Sequence, residues 1–280
     1  MFIQYLCNAL SEKFEIKLIN YSLLYPSFLF PGTTQYDQSE QVIQGFPNER
    51  LVNSINPISW IKTAHHIISE KADLVVFDWW NPFFGMCHWA MSLLVRKKYK
   101  GRILFITENF ISHEARFVDS FLTKLGLRFA DKFLALSKPV EKDLQSIAAG
   151  RPIFRSELPM FDYSLDTRFD GVAERAALGY TPDDKVLMFF GYVRKYKGLD
   201  ILLRAFLLIL KQIPEAKLLV VGEFYDKPEI YTDIVRDNGT LESVKFVNQY
   251  VPNEEVGKYF AAADVMVQPY RSATNSGILN

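Results

Sequence analysis

Residues 186–205 read V-L-M-F-F-G-Y-V-R-K-Y-K-G-L-D-I-L-L-R-A. The apolar run Val186–Phe190 ends at Gly191. A short basic turn comes next with Arg194, Lys195 and Lys197, and Gly198 opens an amphipathic helix. A strand, a glycine-bearing turn and a helix start are thus laid end to end, with cations where the helix begins. The first N–H groups of a helix have no partner within it and carry a partial positive charge, so this end suits an anion. Arg and Lys at the same point make a phosphate or diphosphate the natural guest. A solvated basic turn between two core elements has the same local pattern, so the rest of the chain must decide.

The surrounding sequence repeats the pattern. Strand-like runs at Leu74–Phe77, Ile103–Thr107, Phe133–Leu136 and Ile153–Glu157 alternate with helical stretches at Pro57–Glu70, Met86–Lys98, Ser120–Ala130 and one opened by Ser137 and Pro139. Asn56 before Pro57 is a helix cap by type. Gln4–Lys13 has helical spacing, Phe14–Asn20 alternates like a strand, and Tyr21–Gln38 reads as a long loop rich in Pro, Gly and aromatics. Beyond Lys185, strands at 186–190, 217–221, 244–247 and 265–268 alternate with helices at 199–212, 229–237 and 253–262, the last capped by Asn253. Leu158–Asp184 differs in character and reads as a connection carrying a short helix at Val172–Leu178. This alternation argues for parallel sheets covered on both faces. The domain boundaries expected are 1–158, a linker at 159–184, and 185–280.

Composition sets limits. The chain has 280 residues, no net charge and 49% apolar residues. Length allows two domains of ordinary size, and neutrality offers no electrostatic case for nucleic acid. Cys7 and Cys87 have neither disulfide nor zinc spacing, as in a reducing cytosol, and the four histidines form no ligand pattern. No metal is expected. Leu74–Val95 is apolar, but Asp78, Asn81, Pro82 and His88 exclude a membrane span. The basic run 96–102 is a solvated helix end or a contact for anionic lipid headgroups.

Four stretches of the second half, F-F-G-Y-V-R-K-Y-K-G-L-D-I-L-L-R-A-F at 189–206, L-L-V-V-G-E at 218–223, V-K-F-V-N-Q-Y-V-P-N-E-E-V at 244–256 and A-A-A-D-V-M-V-Q-P-Y-R-S-A-T-N-S-G-I at 261–278, resemble in order and spacing the retaining glycosyltransferases of family four. The first half resembles them through 24–32, 73–85 and 105–114. The resemblance implies an α/β fold of two Rossmann-like doubly wound domains facing across a cleft (glycosyltransferase type B). It implies a nucleotide-sugar donor with UDP or GDP, a glycan or lipid-linked acceptor, no nucleic acid partner, and no cofactor, the nucleotide sugar being a substrate. A cytoplasmic protein is expected, with peripheral contact at the inner membrane face as an option.

Residue by residue, the resemblance gives Lys197 and Arg194 to the donor diphosphate. The family's commonest form has Arg directly after the glycine, where this chain has Tyr192. Gly191 marks the turn, and Glu223 ends a strand facing the nucleotide. Tyr250 and Val251 meet the nucleobase. Glu255, or equally Glu254, approaches the ribose. Ser276, Gly277 and Ile278 form a second helix start at the diphosphate. In the first half, His113 and Glu114 match an acceptor-side loop in which Glu108 replaces the family's first His. The alternative from another class is an inactive remnant that binds nucleotide sugar or acts as a scaffold. An epimerase is a third reading, and a nicotinamide dehydrogenase is disfavoured because no G-x-G-x-x-G follows a strand.

Relatives begin with a strand and a glycine-rich loop before the helix that opens this chain, and continue past the S-G-I turn. The chain therefore reads as a fragment, incomplete at both termini, whose first sheet lacks a central strand. The neighbouring DNA tests this expectation. In-frame code for a strand with Gly-Gly upstream and a βα continuation downstream supports it, and a promoter and stop codon enclosing just these residues sink it.

Overall fold

A computed structural model of the chain describes residues 2–30, 32, 35, 46–110, 117–157 and 168–271. The residues fall into two compact units, one built on 2–29 and 46–157, the other on 168–271.

The first unit runs α1 (Phe2–Ser11), β1 (Leu18–Leu23), β2 (Asn48–Asn53), α2 (Pro57–Glu70), β3 (Val75–Trp79), α3 (Gly85–Val95), β4 (Ile103–Thr107), α4 (Phe117–Gly126), β5 (Lys132–Ala135), α5 (Lys138–Ala148) and β6 (Ile153–Arg155). Strands β3, β4, β5 and β6 form one parallel sheet in sequence order. Its core holds Trp79, Tyr99, Phe105, Leu127 and Phe133, all fully buried. Phe77 stacks on Phe105 with ring centroids 4.9 Å apart. Burial of such side chains is worth about 1.5–3 kcal/mol each and dominates the unit's stability. Two helix starts obey the capping logic: Asn56 Oδ1 accepts from Ile58 N–H at 3.0 Å, and Ser137 Oγ from Val140 N–H at 3.4 Å.

Strands β1 and β2 depart from the expectation. They pair in parallel only with each other, so the unit holds two sheets, and among the described residues no backbone ladder joins β1 to β3. β1 lies later than the alternation at 14–20 suggests, because Phe14 is exposed and Tyr21 is drawn inward, its hydroxyl 3.0 Å from His88 Nε2. The loop expected from Tyr21 thus opens as strand. β2 reads N-E-R-L-V-N and has too few apolar residues to announce itself. Backbone pairing to β1 makes it a strand.

The second unit runs α6 (Gly171–Ala177), β7 (Lys185–Phe190), α7 (Leu199–Leu210), β8 (Ala216–Val221), α8 (Glu229–Asp237), β9 (Val244–Val247), α9 (Asn253–Ala262) and β10 (Val265–Met266). Its parallel sheet has the order β10-β7-β8-β9. The crossover from β9 to β10 returns past two strands, so β7 and β8 are central, with Val186, Met188, Phe189 and 218–221 buried. Helix α6 is docked onto this unit. Arg175 donates to Ala262 O at 2.9 Å and pairs with Asp264 at 2.6 Å, while Asp264 also accepts from Val186 N–H at 2.7 Å. Asn253 is not the cap of α9 but its first residue. Pro252, with φ −58° and ψ 149°, takes the boundary one residue earlier.

One close approach in the first unit lends itself to a test. Gly85 at the start of α3 meets Gly126 at the end of α4, beneath the Trp79 ring. A Cβ at Gly126 would lie 2.3 Å from Trp79 and 3.0 Å from Gly85 Cα. Gly126→Ala is expected to cost about 1–3 kcal/mol, the range for overpacking a core, read as a lowered urea midpoint with an unchanged slope.

Candidate active site

In a parallel sheet every strand leaves by the same edge, and ligands of doubly wound folds sit at that edge. In the second unit the edge is shaped by two glycines. Gly191 after β7 has φ 108° and Gly222 after β8 has φ 137°. A Cβ on Gly222 would lie 2.3 Å from Gly191 O, so the two turns touch backbone to backbone. Beyond the glycines the strands meet once more. Val193 N–H donates to Glu223 O at 2.9 Å and Tyr225 N–H to Val193 O at 3.0 Å, a one-residue parallel bridge between Val193 and Phe224.

Val193 pairs with the chain after β8, and Arg194 emerges from the bridge beside Tyr225. Its guanidinium carbon lies 4.6 Å from the Tyr225 ring centroid, a cation–π distance, and Tyr225 packs on Tyr192 at 4.7 Å. Burial first, and the neighbouring Tyr192 second, push the Tyr225 phenol well above its ordinary range.

Residues Lys195–Lys197 form one 3-10 turn, and Gly198 at φ 72° starts α7. Lys197 is only 9% exposed. Burial, and then the charge of Arg194, lower its ammonium from 10.5 to about 8. A buried cation at the start of a helix, beside a second cation, is an arrangement that repels itself until an anion arrives.

Sequence-predicted Gly191, Arg194, Lys197 and Glu223 are therefore brought to one edge. Glu223 is buried, 6% exposed, and its carbonyl takes part in the bridge. The loop of Tyr250 and Val251 is tied to the same edge through Asn248, whose Oδ1 accepts from Phe224 N–H at 3.0 Å. Val251 also packs against the core beneath β7 and β8. Glu255 forms an ion pair with Lys258 on its own helix, and Glu254 O accepts from Arg168 at 3.4 Å. His113, Glu114, Ser276, Gly277 and Ile278 lie outside the described residues.

The first unit, taken by itself, sets Asp78, to which the sequence assigned no site role, near Glu108, which the sequence placed only as a substitute for the family's first His. Asp78 sits near the end of β3, and Glu108 comes directly after β4, its N–H donating to Trp79 O at 2.9 Å. Burial raises both carboxyls above their ordinary values, and the charge of Glu108 raises Asp78 further. Their signal was positional: both are acids at the carboxyl ends of adjacent parallel strands. Among the described residues, no three His, Cys, Asp or Glu side chains gather as a metal group, and no helix is long and apolar enough to cross a membrane.

Residues 184–279 match the family model described as "Glycosyl transferases group 1". The matched stretch takes in the second unit from β7 onward. A D-inositol 3-phosphate glycosyltransferase of Corynebacterium aurimucosum is 32% identical over 111 residues, which are 37% of this chain and 26% of that relative's length. Among solved structures, sucrose-phosphate synthase of Thermosynechococcus elongatus superposes with a TM-score of 0.67 at 18% identity, covering 98% of this chain and 70% of that one. Anabaena HepE in complex with UDP and glucose gives 0.64 at 18% identity, covering 84% and 64%. The likeness is one of fold, the type-B glycosyltransferase fold with its Rossmann-like α/β units.

The buried lysine yields a stability prediction for the second unit. An unfolded lysine keeps its proton to about pH 10.5, whereas folded Lys197 releases it at about 8. Between those values the unfolded chain holds more protons, so stability rises with pH across that window, and below about pH 8 the burial cost is fully present. Lys197→Met is expected to stabilise the unliganded chain at pH 7 by on the order of 2 kcal/mol and to flatten that rise, both read from urea melts at pH 7 and 9.5.

Proposed function

We propose that the chain transfers a sugar, with retention, from a nucleoside-diphosphate sugar to an acceptor hydroxyl. The observation that carries this reading is the buried Lys197 ammonium at the start of α7, within a group 1 glycosyltransferase domain. In the reaction the bond between the anomeric carbon and the diphosphate oxygen breaks. The acceptor oxygen bonds to the same face of that carbon, and its proton passes to the departing diphosphate. Charge develops on the leaving oxygen, so the protein's main task is electrostatic. Lys197 and the first N–H groups of α7 face that charge. Arg194, held against Tyr225, is the second cation. No side-chain nucleophile and no metal is needed.

The other roles are proposed from the sequence. Glu223 faces the nucleotide sugar. Tyr250 and Val251 meet the base, and Glu255 or Glu254 the ribose. Ser276, Gly277 and Ile278 supply a second set of N–H groups, and His113 and Glu114 the acceptor side. Asp78 and Glu108 join the acceptor candidates because they end adjacent strands of the other sheet. The acceptor is a glycan or lipid-linked hydroxyl in polysaccharide or glycolipid assembly, at the cytoplasmic face of a membrane. The relative's name adds a phosphorylated polyol to the acceptors worth assaying. In the basic run, Lys98 is spent on Ile68 O at 2.8 Å and Arg96 on the Phe129 ring at 5.1 Å. Lys97 and Lys100 are exposed and are the side chains offered to anionic headgroups.

Transfer assays with labelled UDP- and GDP-sugars test the reading. Donor binding without transfer or hydrolysis, persisting in a longer form of the protein, would leave a binding module instead of an enzyme. Lys197→Ala is expected to weaken donor binding by about 1.5–3 kcal/mol, the range for a hydrogen bond to a charged group, and unchanged affinity by calorimetry refutes its role. A bound diphosphate also restores the lysine's proton. At pH 8 donor binding should therefore take up about half a proton in the wild type and none in Lys197→Ala, measured by titration in buffers of different ionisation enthalpy.

A further inference from the structure

The chain after β10 crosses the basic turn. Val267 N–H donates to Met188 O at 2.7 Å, which keeps this segment beside β7. Pro269 then passes so near α7 that a Cβ on Gly198 would lie 2.1 Å from its carbonyl oxygen. The Tyr270 ring centroid is 5.8 Å from the Lys197 ammonium and 6.1 Å from the Tyr196 ring. Arg271 closes the crossing. Its N–H donates to Tyr196 O at 2.8 Å. Its guanidinium donates to Lys195 O at 2.9 Å and to both carboxylate oxygens of Asp200 at 2.7 Å.

One residue thus binds the turn 195–197 and the first turn of α7 together. The plain alternative is an ordinary surface ion pair, which contributes little. Arg271 and Asp200 side chains are 37% and 26% exposed, so the Coulomb energy alone would not set it apart. Geometry and place do. The fork is bidentate, the arrangement that gives arginine its directional specificity. Both ends of the clasp flank Lys197 in the chain or in space, and the residue before Arg271 supplies the ring against the ammonium. The pairing also holds the Asp200 carboxyl below its usual range.

We propose that the Arg271–Asp200 pair is a positioning device for the donor site: it holds Tyr270 against Lys197 and fixes the basic turn in the geometry that receives the diphosphate. Neither residue touches the donor. Arg271 acts through Tyr270 and the turn, and Asp200 acts through Arg271. The inference rests on the donor reading above and adds two residues to it that belong to no phosphate-binding pattern.

Calorimetry with UDP and GDP on the whole chain tests it. Asp200→Asn and Arg271→Gln are each expected to weaken the preferred nucleotide about tenfold, and the double variant no further than either single one, as for two residues acting as a unit. Arg271→Lys keeps the charge but loses the fork, and is expected to fall between wild type and Arg271→Gln. In the transfer assay the loss should appear in the donor KM with kcat nearly unchanged. A merely structural role would lower kcat through the folded fraction and leave KM alone. Should Asp200→Asn fail to fold, Arg271→Lys and Arg271→Gln carry the same comparison. Wild type that binds neither nucleotide overturns the donor reading itself. Wild type that binds, with variants that bind equally well or lose affinity additively, overturns the clasp alone.

Discussion

Parallel pairing sends every strand of the second sheet out at one edge, and the site is a consequence of that constraint. The sheet order β10-β7-β8-β9 puts the ends of β7 and β8 at its centre and the segment after β10 beside them. Residues scattered from Gly191 to Arg271 then share a few ångströms without any long-range design of their own. Two glycines sharpen the effect. With no side chain at Gly191 or Gly222, the two turns close on each other and the strands make one more contact before they part. That contact fixes the pair of residues beyond it: Arg194 on one strand and Tyr225 on the other.

Electrostatics then works against folding at this edge. Lys197 is taken out of water beside another cation, and its lowered ammonium records the cost. Proteins retain such a group when something outside the fold repays the cost, and a strained charge at a helix start is a reason to look for a ligand. The surrounding contacts all limit how the turn can relax. Gly198 in the left-handed region, the Pro269 carbonyl pressed against it, and the Arg271 fork leave the lysine little freedom to swing into solvent.

Much of this was legible in order and little of it in detail. The strand, turn and helix at 185–210 arise from apolar periodicity and two glycines. The starts of α2 and α5 were legible too, because Asn56 with Pro57 and Ser137 with Pro139 mark them. Strand β2 was not legible, since N-E-R-L-V-N carries no alternation and exists as strand through its backbone partner. Arg194 was visible as a cation in the turn, but its place against Tyr225 follows from the Val193–Phe224 bridge, a pairing between segments thirty residues apart in the sequence. Asp78, Glu108 and the Asp200–Arg271 fork belong to the same class. Each is an ordinary charged residue until the topology sets it beside its partner.

The β1–β2 pair of the first unit is held by what packs against it. A two-stranded ladder standing alone is marginal in water. The β1–β2 pair therefore draws its persistence from side chains, such as Ile19 and Tyr21 against the core and Tyr21 against His88. Helix α2 adds polar ties to β2, Trp60 Nε1 donating to Asn53 O at 2.8 Å and Asn53 N–H to Ser59 Oγ at 3.0 Å. The His88 imidazole beneath Tyr21 is thereby an uncharged part of the core, which burial keeps neutral down to about pH 3.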